Sequence, residues 1–412
     1  MLNKMKYVVP VIVGMSVVLT SCGGSSSVSE DTVTVWIPGD EVEYGFYFDM
    51  FENYKEHIES QGGEFDYVIE QQPWSDYWTK LPLEVNNGRG PDMYLAHDSY
   101  MDVLLPISKE LDLGDEILDS LDVKGLYLGE NGKDIFVPTV LLTYVMYANT
   151  DVVGDIEEIP ETWGEFAELA KGYTDSNNGI IGFDYNFNIL ENLQYNDKVT
   201  FTTEAGDIEF YSTPYETLKK WQDEGVTDYF NYGNGSPEKT LNENAVAFIH
   251  SATWVEFWSE DEVKARMKAF PVPRLNEDGY YKAVGEPTFG ISKNVSDEKF
   301  EVCNDIIKFM LTDEETVTNI VKSNSGVANN RNIVVEYEPY TAGDAVTKTF
   351  ETGKTAFSVL PTGLEDVIKA NLEGVLMGDD VNQVIENAYI NLEGVKVERL
   401  KLMEDDFRDL FE

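Results

Sequence analysis

"TVTVWIPGDEVEYG", Thr32–Gly45, is the stretch from which the architecture can be read. It opens as an alternating apolar run, Val33-Thr34-Val35-Trp36, the pattern of a strand entering a core. It stops on Pro38-Gly39-Asp40-Glu41. Gly39 lets the chain turn, and two carboxylates follow at once. Strands that lead into helices through short loops build α/β layers. In such layers ligands sit beyond the carboxyl ends of the strands. Asp40 and Glu41 are then either acids capping a helix or groups that point at a ligand.

Both patterns recur along the chain. Tyr47, Phe51, Tyr54 and Ile58 share a helix face, and Phe65, Tyr67 and Ile69 alternate as a strand does. "GRGPDMYLA" is a turn followed by a short buried strand. Thr162-Trp163-Gly164-Glu165 has the form of a capping box, continued by Phe166, Leu169 and Tyr173. Thr213-Pro214-Tyr215-Glu216 is a second, with Leu218 and Trp221 behind it and Gly225 at the end. Ser296-Asp297-Glu298 opens another helix, and Thr312 to Glu315 a fourth box. The alternation predicts an α/β protein with largely parallel sheets.

The 412 residues suit two domains rather than one small core. The formal charge of −46 sets the chain against phosphate backbones and anionic lipid, so nucleic acid is not an expected partner. The N-terminal "MLNKMKYVVPVIVGMSVVLTSCGG" has two lysines, a short apolar run and Leu19-Thr20-Ser21 before Cys22. This is the layout of an export signal, and its ending resembles a bacterial lipobox. That resemblance implies cleavage before Cys22, a lipid on its thiol and a position outside the cell, anchored to the membrane, with residues 22–31 as a flexible tether. Cys303 is then the lone cysteine, on the apolar face of Phe300, Ile307 and Met310, and is expected in the core.

No nucleotide-binding glycine loop, zinc-protease helix, CxxC pair or nucleophile elbow is present. His57, His97 and His250 are scattered, and no metal, cofactor or catalytic residue is expected. Carboxylates and aromatic rings do meet at predicted strand ends. Sugars need both, because charged groups hold their hydroxyls strongly and ring faces pack on their C–H faces. Asp40 and Asp98 supply the first kind of group, and Trp78, Tyr185, Phe187 and Trp254 the second.

The chain resembles an extracellular solute-binding protein of an ABC sugar importer, and within that class is most similar to maltose/maltodextrin-binding proteins. "VWIPGDEVEYG" looks like that family's first strand and ligand loop, which maps a sugar-binding Asp onto Asp40 with Glu41 beside it. "GRGPDMYLAHDSY" maps a second onto Asp98, and "AVAFIHSATWVEF" maps a stacking Trp onto Trp254. "YVMYANTDVV", "IPETWGEFAELAKGY" and "FGISKNVSDEKFEVCNDIIKFML" resemble the segments that enter the second domain and return to the first. The family's pattern is broken at Leu95, Ser99, Leu141 or Leu142, and Gly363 to Glu365.

The resemblance implies a two-lobed periplasmic-binding-protein-like fold with the ligand cleft between the lobes. It places 32–140 and 272–326 in one lobe and 141–271 and 327–412 in the other, with crossings near 138–143, 269–273 and 326–330. It implies a monomer that binds an oligosaccharide, with maltose or maltooligosaccharides the best match, and hands it to the permease subunits of an ABC transporter by hinge closure. Another oligosaccharide, a sugar sensor or adhesin, and a glycoside hydrolase are the alternatives; the last needs a carboxyl pair flanking one glycosidic bond.

Overall fold

The strand at Val33–Pro38 lies in the middle of its sheet, as its apolar run requires. The structure is a computed structural model that describes residues 32–39, 41–97, 100–197, 210–231, 237–276, 279–287, 289–351, 354–359, 364–391 and 399–403. The export signal, Cys22 and the tether lie outside these residues, as do Asp40, Asp98 and Ser99.

Among the described residues the strands are β1 (Val33–Pro38), β2 (Tyr67–Gln72), β3 (Met93–Leu95), β4 (Tyr127–Leu128), β5 (Asp134–Phe136), β6 (Pro138–Thr143), β7 (Val145–Asn149), β8 (Ile181–Tyr185), β9 (Val246–Ser251), β10 (Met267–Pro271), β11 (Tyr281–Pro287), β12 (Phe289–Ile291), β13 (Val327–Ala328), β14 (Thr355–Val359) and β15 (Arg399–Met403). The first sheet has the order β12-β3-β1-β2, the second β10-β7-β9-β8 and the third β13-β6-β11-β14-β15. β4 and β5 pair by themselves.

The first two sheets have their own cores. Tyr47, Met50, Phe51 and Tyr54 of the helix Glu41–Ser60 pack with Val33, Val35 and Ile37, and with Cys303, Ile307 and Met310 of the helix Asp297–Thr312. Cys303 is fully buried, as its helical face predicts, and burial pushes its thiol up to about 12. In the second lobe Trp163 and Phe166 of the helix Trp163–Tyr173 pack with Phe183, Trp221 and Phe248. Trp163 also donates its indole N–H to Asn196 Oδ1 at 3.0 Å, so its one polar atom is satisfied inside the core.

The third sheet joins the other two. β6 and β7 are separated only by Tyr144, and β11 and β12 only by residue 288. β6 and β11 run antiparallel side by side, with Leu142 opposite Val284. The chain thus passes between the lobes inside a hydrogen-bonded ladder. The second connecting strand comes later than the expected crossing near 269–273, because Met267–Pro271 pairs with β7 as the edge of the second sheet.

The expectation of largely parallel sheets needs correction. β1 is parallel to both β2 and β3, β8 to β9 and β11 to β14, but the other pairs are antiparallel. Strands that enter a sheet straight from a crossing run opposite to their neighbours there, as β7 and β12 do.

Two of the four helix starts fall where the caps predict. Thr162 accepts from the Glu165 N–H, and its hydroxyl in turn donates to the Glu165 carboxylate at 2.9 Å. Ser296 accepts from the Lys299 N–H. The other two are displaced. Thr312 closes one helix, donating its hydroxyl to the Lys308 carbonyl, and Asp313 caps the next by accepting from Thr316. The helix Ser212–Asp223 begins ahead of Thr213, with Tyr211 as its cap residue, so Pro214 still lies in the first turn. Gly225 ends it as expected at φ +71°, with the Val226 N–H reaching the Trp221 carbonyl.

Asp92 ties the first sheet to its helix layer. Its carboxylate accepts from the Thr34 N–H and hydroxyl, each at 2.9 Å, and from Lys299 Nζ at 2.7 Å. Lys299 also reaches the Thr32 carbonyl. Asp92→Ala is expected to cost on the order of 1.5–3 kcal/mol, the range for hydrogen bonds to a charged group. Urea denaturation measures this; an unchanged midpoint would show that the node is solvated surface.

Candidate functional site

The carboxyl ends of β1, β2 and β3 are brought level by side chains of the helix Trp74–Asn86. Tyr77 donates its hydroxyl to the Leu95 carbonyl at 2.8 Å and lies 3.1 Å from that of Trp36. Lys80 donates to Gln72 Oε1 and covers the Trp36 ring at 4.9 Å. Gly39, at φ +77°, donates to the Gln72 carbonyl, so β1 and β2 stop together. Most residues with a Cβ adopt a left-handed angle only at a cost of roughly 1–2 kcal/mol. Glu41 then opens the helix Glu41–Ser60. This is the loop on which sequence places Asp40.

An aromatic patch borders these strand ends. Trp78 lies flat on Tyr100, with centroids 4.2 Å apart and planes at 4°. Trp74 meets Trp78 edge-on at 5.1 Å and His97 at 5.5 Å. His97 and Tyr100 flank the position of Asp98 in sequence. Trp78 is only 7% exposed, whereas Trp74 is 37% exposed. Trp78 therefore backs the patch, and Trp74 offers its open ring surface. The sequence marks Trp74 only by its nearness to Trp78; nothing in it distinguishes the buried ring from the open one.

The second lobe presents strand ends in the same way. β9 ends at Ser251, and Trp254 follows it at the start of the helix Val255–Trp258. Trp254 is half-buried and edge-on to Tyr144 at 5.8 Å. Phe187 follows β8 and is half-buried against the same core. Tyr185, expected as a stacking ring, is fully buried. It is the last residue of β8, on the inward side, and packs on Phe183 and Tyr229 at 5.5 and 5.7 Å. β8 is buried along its whole length, so Tyr185 presents no face to a ligand here.

The Trp254 loop is also held to the first lobe. Thr253 donates to the Asn324 carbonyl at 2.7 Å, and Ser325 to the Glu256 carboxylate at 2.7 Å. Asn324 ends the helix Glu314–Asn324, whose Val317, Ile320 and Val321 belong to the first lobe's core. Behind Trp254 lies a buried polar set. The His250 ring stacks on Tyr144 at 5.1 Å with planes at 7°, and its Nε2 is 3.2 Å from Asn192 Nδ2. Lys282 forms an ion pair with Glu191 and lies 5.7 Å from the Tyr144 centroid. Sequence gave no signal for this set beyond the scattered His250.

A cavity of about 480 Å³ lies elsewhere, between 157–161, β10 and the helix Ala342–Glu351. Its rings Tyr340 and Tyr281 already carry Lys268 and Arg274 at 4.4 and 5.9 Å, so it lacks the free ring faces of the strand-end walls. Among the described residues no group of three or more His, Cys, Asp or Glu is placed to hold a metal ion, and no helix is long and apolar enough to cross a membrane.

Comparison with known proteins identifies the family and the fold. A family model described as bacterial extracellular solute-binding protein matches residues 49–334, more than half of the chain. Solved structures share the two-lobed fold. The cyclic α-maltosyl-1,6-maltose binding protein of Arthrobacter globiformis is 17% identical over 87% of this chain and 96% of its own, with a TM-score of 0.71. MalX of Streptococcus pneumoniae, solved in complex with maltopentaose, is 20% identical over 87% and 98%, with a TM-score of 0.66. Maltose-bound MalE3 of T. maritima is 14% identical over 88% and 99%, with a TM-score of 0.65. No curated protein matches the chain by sequence.

Burial holds His250 neutral, lowering its pKa from the usual 6.5 to about 3. The unfolded chain binds a proton that the folded chain refuses between those values, so stability falls as pH falls through that window. His250→Asn is expected to remove a slope of up to about 1.4 kcal/mol per pH unit there. Urea denaturation from pH 7 to pH 4 on both proteins measures the difference. Parallel curves would mean that His250 is protonated inside the fold.

Proposed function

The chain belongs to the bacterial extracellular solute-binding protein family, and we propose that it binds maltose or maltooligosaccharides and delivers them to the permease subunits of an ABC importer. The observation that carries this reading is the pairing of open or half-buried rings with strand ends in both lobes: Trp74 in one, Trp254 and Phe187 in the other. Rings of this kind pack on the C–H faces of sugars. Three structural neighbours point the same way: one is a cyclic α-maltosyl-1,6-maltose binding protein, one was solved with maltopentaose and one with maltose bound.

On this reading Asp40, Glu41 and Asp98 accept hydrogen bonds from sugar hydroxyls in the cleft, and Trp254, Phe187 and the Trp74–Trp78 patch stack on the rings. The lobes are 32–140 with the chain from β11 to 326, and 141–280 with 327–412, β11 making the second crossing. Ligand free energy biases an open–closed equilibrium, and the importer reads the closed form. No bond is made or broken, so the protein is not an enzyme. Cys22 carries the lipid that holds the protein as a monomer on the outer side of the cell membrane.

Calorimetric titration of the soluble chain from residue 23 with maltose, maltotriose and longer α-glucans, beside β-linked and galactosidic sugars, tests the ligand. Saturable heat with the α-glucans and no hydrolysis is expected; a response only to another linkage would transfer the assignment to that sugar. Asp40→Ala is expected to weaken binding by on the order of 1.5–3 kcal/mol. Tyr185→Phe is expected to leave affinity unchanged, because the ring is core. A large loss there would put Tyr185 back in the site.

A further inference from the structure

We propose that Tyr144 is the positioning residue that links Trp254 to the crossing between the lobes, so that a ring seated on Trp254 is felt directly at the hinge; this rests on the sugar-binding reading above. Tyr144 is the single residue between β6 and β7, where the chain leaves the third sheet for the second. It is 3% exposed. Its ring touches Trp254 edge-on, His250 face-on and the Lys282 ammonium.

Each contact leads to a different element of the fold. Lys282 belongs to β11, the antiparallel partner of β6, and its carbonyl accepts the Thr143 hydroxyl at 2.8 Å. Its side chain pairs with Glu191 on the helix Ile189–Asp197, which follows directly on the loop that carries Phe187. His250 belongs to β9, the strand that ends in the Trp254 loop. One ring therefore contacts both connecting strands' neighbourhood and both half-buried rings' supports.

The test uses the soluble chain with spin labels on Glu56→Cys and Glu168→Cys, both exposed, one on the helix Glu41–Ser60 and one on the helix Trp163–Tyr173. Label–label distances report closure, and the buried Cys303 is inert to labelling. Tyr144→Leu is expected to broaden the distance distribution of the free protein and to weaken maltotriose binding by about 3- to 10-fold, the equivalent of one aromatic contact. Tyr144→Phe, which keeps the ring, is expected to restore both. Trp254→Ala changes the half-buried partner rather than the crossing residue, and is expected to broaden the free distribution in the same way. Distances unchanged in folded Tyr144→Leu and Trp254→Ala would overturn the proposal. A wild-type protein that binds no sugar in the panel would instead sink the sugar reading, while the free-protein distances still decide the hinge role.

Discussion

A chain that passes back and forth between two lobes must pair its peptide groups on the way. A buried N–H or C=O without a partner costs about as much as a lost hydrogen bond. Here β6 and β11 solve the problem by pairing with each other, and β13 closes the other edge of β6. The crossing is therefore a sheet, and its direction is fixed on both sides by what it runs into. β6 continues through Tyr144 into the second sheet, and β11 continues almost without interruption into the first. Both lobes are oriented by this ladder, and so are the strand ends that carry the candidate binding groups.

Within each lobe the site follows from how strands end. A strand whose neighbours stop at the same level leaves a shelf of loops, and helices start from that shelf. In the first lobe Tyr77, Lys80 and Gly39 level the shelf. In the second the Trp254 loop is fixed both to Tyr144 and, through Thr253, to the first lobe. The aromatic side chains divide accordingly. Those on inward strand positions, such as Tyr185 and Phe183, fill the core. Those one to three residues beyond the strand, such as Trp74, Phe187 and Trp254, keep part of a ring open.

The charge of −46 fits this chemistry by exclusion. A strong negative field repels anionic ligands and surfaces, yet an uncharged oligosaccharide approaches without electrostatic penalty. The family match to extracellular solute-binding proteins agrees with a ligand met outside the cell.

Much of the architecture is legible without coordinates because local chemistry specifies it. The alternation in Val33–Trp36, the cap at Thr162, the cap at Ser296 and the apolar face of Cys303 each depend on neighbours within a few residues, and each appears as expected. What sequence misplaced depended on distant partners. Thr312 and Asp313 are both cap residue types, but Asp is the stronger, and Thr312 is used up closing the preceding helix through the Lys308 carbonyl. Parallel and antiparallel pairing have the same apolar period, so the sense of β7 and β12 is decided by where the chain crosses. Tyr185, Trp78 and Trp74 are all large rings near strand ends. Their sequence determined that they would be buried or stacked on something. Only the tertiary structure decided that Tyr185 and Trp78 would be covered by Tyr229 and Tyr100 while Trp74 kept its surface, because exposure is set by what packs on a ring and not by the ring itself.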